Sequence, residues 1–197
     1  MKHILFVIAL GAAACGGKKP ATTTATPVAA PVAAPKKTPA VAPMPLPVPK
    51  HATATLAPTA KSKTKGTIEF KEVDGGVEVT ATLEGLKPGD HAYHVHEKGD
   101  CSAPDGASAG GHFNPSGHKH GAPDAEDHHE GDFGNLNAGK DGKATKTFVM
   151  KGITLDDGAN SIVGRGFIVH DKADDFKTQP TGNAGGRIAC GVIERKS

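Results

Sequence analysis

Tryptophan is absent from this 197-residue chain, tyrosine occurs once and phenylalanine seven times. Glycine is abundant instead, with 26 residues, which favours short strands joined by turns over long helices. No stretch carries a convincing helical stripe, and no apolar run is long enough to cross a bilayer as a permanent helix. Acidic residues are missing before Lys50, where the charge comes from Lys2, Lys18, Lys19, Lys36 and Lys37 alone. The net charge of +2 therefore hides a remainder with 18 basic and 21 acidic residues, a balance of −3. That balance gives no support for nucleic acid as a partner, and any anion must be drawn by a local field.

Of what is present, the N-terminus reads as an export signal. Lys2 and His3 precede the apolar residues 4–10, and Ala12-Ala13-Ala14 stand directly before Cys15. Small residues ahead of a cysteine resemble a bacterial lipobox, in which the cysteine is acylated. The fit is imperfect, because leucine is commoner at the place of Ala12. The expectation is an exported protein of the periplasm or cell envelope, membrane-anchored through lipid on Cys15, with an ordinary cleaved signal peptide as the alternative. Three cysteines in an oxidising compartment leave one unpaired. With Cys15 lipidated, Cys101 and Cys190 remain to pair.

Ten of the fifteen prolines lie between Pro20 and Pro58. Residues 16–49 are mostly Pro, Ala, Thr, Val and Lys, a composition that cannot bury a core and predicts a disordered linker. Fully extended it would reach on the order of 100 Å. The expected organisation is a signal peptide at 1–15, this linker at 16–49 and one domain at 50–197.

Within the domain, apolar and polar residues alternate over 52–56, 66–72 and 77–83. Further short strands fit 92–97, 133–137, 144–150, 162–170 and 188–194. Asp74-Gly75-Gly76 and Asp141-Gly142 are turn signals. Eight short strands with glycine-rich turns read as an all-β sandwich or barrel. The stretch 98–131 breaks the rhythm, and a loop of that length in a compact domain is usually functional.

Eight of the eleven histidines fall between His91 and His129. His94 and His96 are two apart on a strand, so both imidazoles face one side while Val95 points into the core. His112, His120, His129 and Asp132 make a closed set of three imidazoles and a carboxylate that suits tetrahedral zinc. His170 ends a strand and could return to the first pair. An imidazole-rich site without thiolate suits copper. His91 reads as a hydrogen-bonded structural residue, His118 and His128 as solvent-facing, and 124–130 as a solvated acidic stretch. Gly182 to Gly186 lack the Lys-Ser/Thr and following helix of a P-loop, and read as a turn presenting Arg187.

Taken together these segments resemble the copper–zinc superoxide dismutase family. Ala92-Tyr93-His94-Val95-His96-Glu97 is similar to its first signature. The run Gly182-Asn183-Ala184-Gly185-Gly186-Arg187-Ile188-Ala189-Cys190-Gly191-Val192-Ile193 is similar to its second. Gly111-His112-Phe113-Asn114-Pro115, Lys119-His120-Gly121, His129-Glu130-Gly131-Asp132 and Gly164-Arg165 through Asp175 follow in order. The resemblance implies an eight-stranded Greek-key β-sandwich or barrel, immunoglobulin-like, with long metal-binding loops. It implies copper (Cu2+/Cu+) on His94, His96, His112 and His170, and zinc (Zn2+) on His112, His120, His129 and Asp132, bridged through His112. Asp174 would link a copper ligand to a zinc ligand, Arg187 would sit by the open copper position, and Cys101–Cys190 would be a disulfide. The implied activity is dismutation of superoxide to O2 and hydrogen peroxide, with Arg187 and His112 as catalytic residues and a homodimer as a possible assembly. The competing readings are a non-catalytic copper or zinc carrier on the same fold and a zinc-stabilised surface module. Four features depart from familiar animal members, the bacterial-type lipid tether among them. Ala92 replaces a common glycine, the segment from Cys101 to His112 is longer, and the segment from His170 to Arg187 is shorter. The last change leaves Lys172 and Lys177 as candidates for steering an anion.

Overall fold

The computed structural model describes residues 50–196. The expected signal peptide, Cys15 and the linker at 16–49 lie outside the described residues. The elements in chain order are β1 (His51–Pro58), β2 (Lys65–Val73), β3 (Gly76–Glu84), β4 (Gly89–His96), β5 (Asp132–Ala138), β6 (Ala144–Met150), β7 (Gly166–His170) and β8 (Arg187–Lys196). One short 3-10 turn, Ala107–Ala109, interrupts the long connection from β4 to β5.

All pairings between these strands are antiparallel, in the order β5-β4-β7-β8-β1-β2-β3-β6. The end strands β5 and β6 are joined by a turn, with the Gly139 N–H donating to Lys143 O at 2.9 Å and Gly142 at φ +72°. The sheet thus curls into a nearly closed barrel. The connections β3–β4 and β6–β7 each pass over one end of it, in Greek-key fashion. The hairpin expected at Asp74-Gly75 joins β2 to β3, with Val73 opposite Gly76.

Alternation decides what is inside. Ala52, Ala54 and Leu56 from β1, Ile68 and Phe70 from β2, and Val77, Val79, Ala81 and Leu83 from β3 fill one side of the core. Their neighbours carry the outer face, where Thr55, Thr67, Thr82 and Thr145 stand directly opposite one another on four adjacent strands. Polar β-branched side chains suit such a solvated pleated surface. The other side of the core is aromatic: Tyr93 packs edge-on against Phe133 at 6.2 Å and Phe133 against Phe167 at 5.6 Å.

One expected strand is shorter than its apolar pattern. Residues 162–165 form a turn, and only Gly166–His170 pair. Gly164 takes φ +80°, and the Arg165 N–H bonds back to Ile162 O at 3.2 Å, a geometry that ends a ladder. Ile162 is buried all the same, so its hydrophobicity reflects the core and not strand pairing.

Candidate metal centre

β4 is buried on both faces from His91 to His96, although alternation alone would expose one. Tyr93 and Val95 face the core; His94 and His96 face outward and are covered by residues 97–131. The covering chain runs beside β4. Glu97 N donates to Gly111 O at 3.0 Å, Phe113 N to Val95 O at 2.8 Å, and Val95 N to Gly131 O at 3.0 Å. His112 is bridged directly opposite His96. A register shift in the β4–β5 pairing precedes His94, and another in the β7–β8 pairing precedes His170, at the two places where a strand must re-aim an imidazole.

Two donor sets result. His94, His96, His112 and His170 form one, His112, His120, His129 and Asp132 the other; in each, the ligand atoms lie within 4.8 Å of one another and all residues are buried. In the first set, His94 Nδ1, His96 Nε2, His112 Nε2 and His170 Nε2 are buried without any hydrogen-bond partner. Four orphaned ring nitrogens are costly unless something else occupies them, and a metal ion meets that need.

The remaining nitrogens are held in place. His96 Nδ1 donates to Gly110 O at 2.9 Å, His170 Nδ1 to Gly185 O at 3.4 Å and His94 Nε2 to Asp174 Oδ2 at 2.8 Å. Such outer contacts fix the tautomer and ring orientation of metal-binding imidazoles.

In the second set the Nδ1 atoms converge on Asp132. His112 Nδ1 lies 2.7 Å and His129 Nδ1 3.3 Å from Asp132 Oδ1, and His120 Nδ1 lies 3.0 Å from Oδ2. The Nδ1 atoms of His112 and His129 are 3.5 Å apart. A tetrahedral ion with bonds of about 2.0–2.1 Å requires edges of roughly 3.3–3.4 Å, so this set fits zinc. His112 belongs to both sets, through Nε2 in one and Nδ1 in the other. Asp174 joins them a second time, accepting from His94 Nε2 and, at 2.9 Å, from His120 Nε2.

Electrostatics separate the imidazoles. Burial pushes His112 down to about 4, with Asp132 opposing and His94 adding to the shift. Burial likewise lowers His94, His96 and His170, and neighbouring imidazoles deepen the shift for the last two. All four are therefore neutral and able to donate lone pairs. His120 goes the other way: burial would lower it, but the adjoining carboxylates of Asp132 and Asp174 raise it to about 9. Burial would also raise Asp132 and Asp174, yet the surrounding imidazoles hold both well below the usual carboxylate range.

Arg187, half-buried at the start of β8, donates to Gly106 O at 2.7 Å and Gly110 O at 2.6 Å. Gly110 O also accepts from His96, so one carbonyl fixes both side chains. The Arg187 charge is close enough to oppose protonation of His96 and His170. Cys101 and Cys190 are disulfide-bonded, with Cα atoms 5.8 Å apart, tying the long connection to β8.

Sequence reasoning missed several participants. Asn135 clamps the backbone of Asp174, and Gly182 at φ +67° leaves space beside its carboxylate, where an added Cβ would lie 2.0 Å from Asp174 Oδ1. His91 bonds through both nitrogens to the carbonyls of His170 and Lys87, and joins neither set. His118 is exposed, whereas His128 is half-buried. Glu130, in the stretch expected to be solvated, is buried and accepts from Ser116 Oγ.

The fold is an antiparallel Greek-key barrel whose two buried donor sets share one imidazole, an arrangement compatible with metal binding. The family described as copper/zinc superoxide dismutase (SODC) matches residues 64–193, and the chain belongs to that family. Among solved structures, the chain is similar to that titled "Crystal Structure Analysis of the clock protein EA4". The identity is 39%, the TM-score 0.68, and the match covers 78% of this chain and 99% of that one.

Proposed function

We propose that this protein dismutes superoxide, with copper held by His94, His96, His112 and His170 and zinc by His112, His120, His129 and Asp132. The observation that carries the reading is His112, whose two ring nitrogens enter different donor sets, its Nε2 being one of four orphaned nitrogens, in a site where the carbonyl that orients His96 also fixes the Arg187 guanidinium. A store or carrier needs ligands, but it does not need a cation held rigidly beside them.

Copper in the first set supplies one-electron redox chemistry, so that two superoxide ions and two protons yield one O2 and one hydrogen peroxide. The protein's own groups do the rest. Arg187 offers a permanent positive charge with fixed donors, drawing a small anion into a domain of net negative charge. Its guanidinium is immobilised by Gly106 and Gly110, so little reorganisation accompanies anion entry. His112 holds or releases a proton at Nε2, the nitrogen nearest the redox position, while Asp132 steadies its other side. Asp174 keeps the His94 and His120 rings from turning. Zinc has no redox role and would orient His112 and tie down residues 112–132.

On the same reading, the segment up to Cys15 directs export and the linker spaces the domain from a membrane. Mass spectrometry of the mature N-terminus tests this, since an unmodified Cys15 would exclude the lipid anchor.

The deciding experiment is superoxide dismutation by the purified full-length protein, loaded with copper and zinc, beside His170→Ala. Fast, cyanide-sensitive turnover lost in the variant is expected. Stoichiometric metal without turnover would overturn the enzyme reading in favour of a carrier.

A further inference from the structure

The inward positions of β6 are Ala144, Lys146, Phe148 and Met150. A lysine in the middle of that series breaks the alternation kept by β1 and β3, and such local violations call for a compensating role. Lys146 Nζ does not reach for solvent. It lies 5.6 Å from the centre of the Tyr93 ring and 5.3 Å from that of Phe148, and donates to the main-chain oxygen of Asn135 on β5 at 2.7 Å. Burial lowers its pKa, with Asp90 opposing.

That bond spans the one gap in the barrel. β5 and β6 end the strand order and share no ladder pairing among the described residues. The aliphatic stem of Lys146 covers the seam while its ammonium satisfies an edge carbonyl. Asn135 in turn grips Asp174 twice: Nδ2 donates to Asp174 O at 2.9 Å, and Oδ1 accepts from Asp174 N at 2.7 Å. The Asp174 carboxylate then holds one imidazole of each donor set. A continuous series of hydrogen bonds runs from the seam to both metal positions.

We propose that Lys146 is a positioning residue for the dinuclear site, acting through Asn135 on Asp174. The proposal rests on the reading that the two donor sets hold metal. An aliphatic residue at this place would pack as well against Tyr93 and Phe148, but would leave the Asn135 carbonyl without its donor and β5 free to shift at the point that carries Asp174.

The test uses full-length protein with Lys146→Met, which keeps the stem and removes the donor, and Lys146→Arg, which restores one. Three readouts apply: amide exchange at Asp174 in metal-free protein, zinc affinity by chelator competition, and the visible spectrum of cobalt(II) in the zinc set. In Lys146→Met, Asp174 exchange is expected to quicken, zinc affinity to fall by about tenfold, the low end for contacts beyond the ligands, and the cobalt bands to shift. Lys146→Arg is expected to recover all three. Unchanged exchange and zinc affinity in Lys146→Met would overturn the proposal. So would a lower melting temperature with unchanged affinity and spectrum, which would make Lys146 a fastener of the barrel only. Failure of the parent protein to bind zinc or cobalt would sink the metal reading instead, while exchange at Asp174 would still judge the link to Lys146.

Discussion

His120 sits between two carboxylates, with Asp132 3.0 Å from Nδ1 and Asp174 2.9 Å from Nε2. In the metal-free protein it is therefore an imidazolium at neutral pH, raised to about 9 against the opposing effect of burial. A metal ligand must surrender that proton. Zinc binding at pH 7.5 is expected to release about one proton, read by calorimetry in two buffers of different ionisation heat. His120→Gln should remove that release. If the parent protein releases no proton, His120 is not an imidazolium in the metal-free protein. His112 offers the contrast: lowered to about 4, it is already neutral and opposes zinc only in acid.

The element that closes the site is the connection from β7 to β8. It carries Asp174 inward at Gly182, where the left-handed backbone and the close approach both require glycine. Gly182→Ala is expected to cost about 1–3 kcal/mol from backbone strain and to weaken zinc binding by displacing Asp174. Urea unfolding and chelator competition on the same samples check both effects. Much of this architecture was legible in advance. The apolar alternation located β1, β2 and β3, and strand geometry paired His94 with His96 because residues two apart share a face; that His112 belongs to both donor sets was implied only by the family resemblance. Other features were not legible, for physical reasons. Ile162 looked like strand because burial and pairing leave the same apolar mark. The order of strands around the barrel depends on contacts far apart in the chain. The carbonyls of Gly106 and Gly110, which position Arg187 and His96, carry no side-chain signal at all. Asn135 and Lys146 look like ordinary surface residues until the seam brings them together.

For the whole molecule, the buried imidazoles set how the metal-free protein responds to pH. His94, His96, His112 and His170 have folded pKa values below the ordinary histidine value. The unfolded chain therefore binds more protons than the folded one below about pH 6.5, and stability falls as the solution is acidified. Asp132 and Asp174, depressed in the folded state, add stability that is lost at still lower pH. His120 works in reverse, contributing fully below about pH 6.5 and losing its contribution as pH rises through about 9. The melting temperature of EDTA-treated protein should fall steeply from pH 6.5 to 4 and more gently on the alkaline side. A His96→Gln, His170→Gln double variant should show a shallower acid limb. A flat profile between pH 6.5 and 4 in the parent would contradict this account.

The Cys101–Cys190 bond encloses a loop of 89 residues in sequence separation, and one side of it lies just ahead of the two glycine carbonyls that immobilise Arg187. Without that bond, residues 101–111 are held only by hydrogen bonds, among them Lys98 N to Ala109 O and Ala60 N to Pro104 O, and the guanidinium depends on those contacts alone. Reducing the bond is therefore expected to loosen the anchorage of the guanidinium while both donor sets stay assembled, so that the cross-link bears on the cation more than on the ligands.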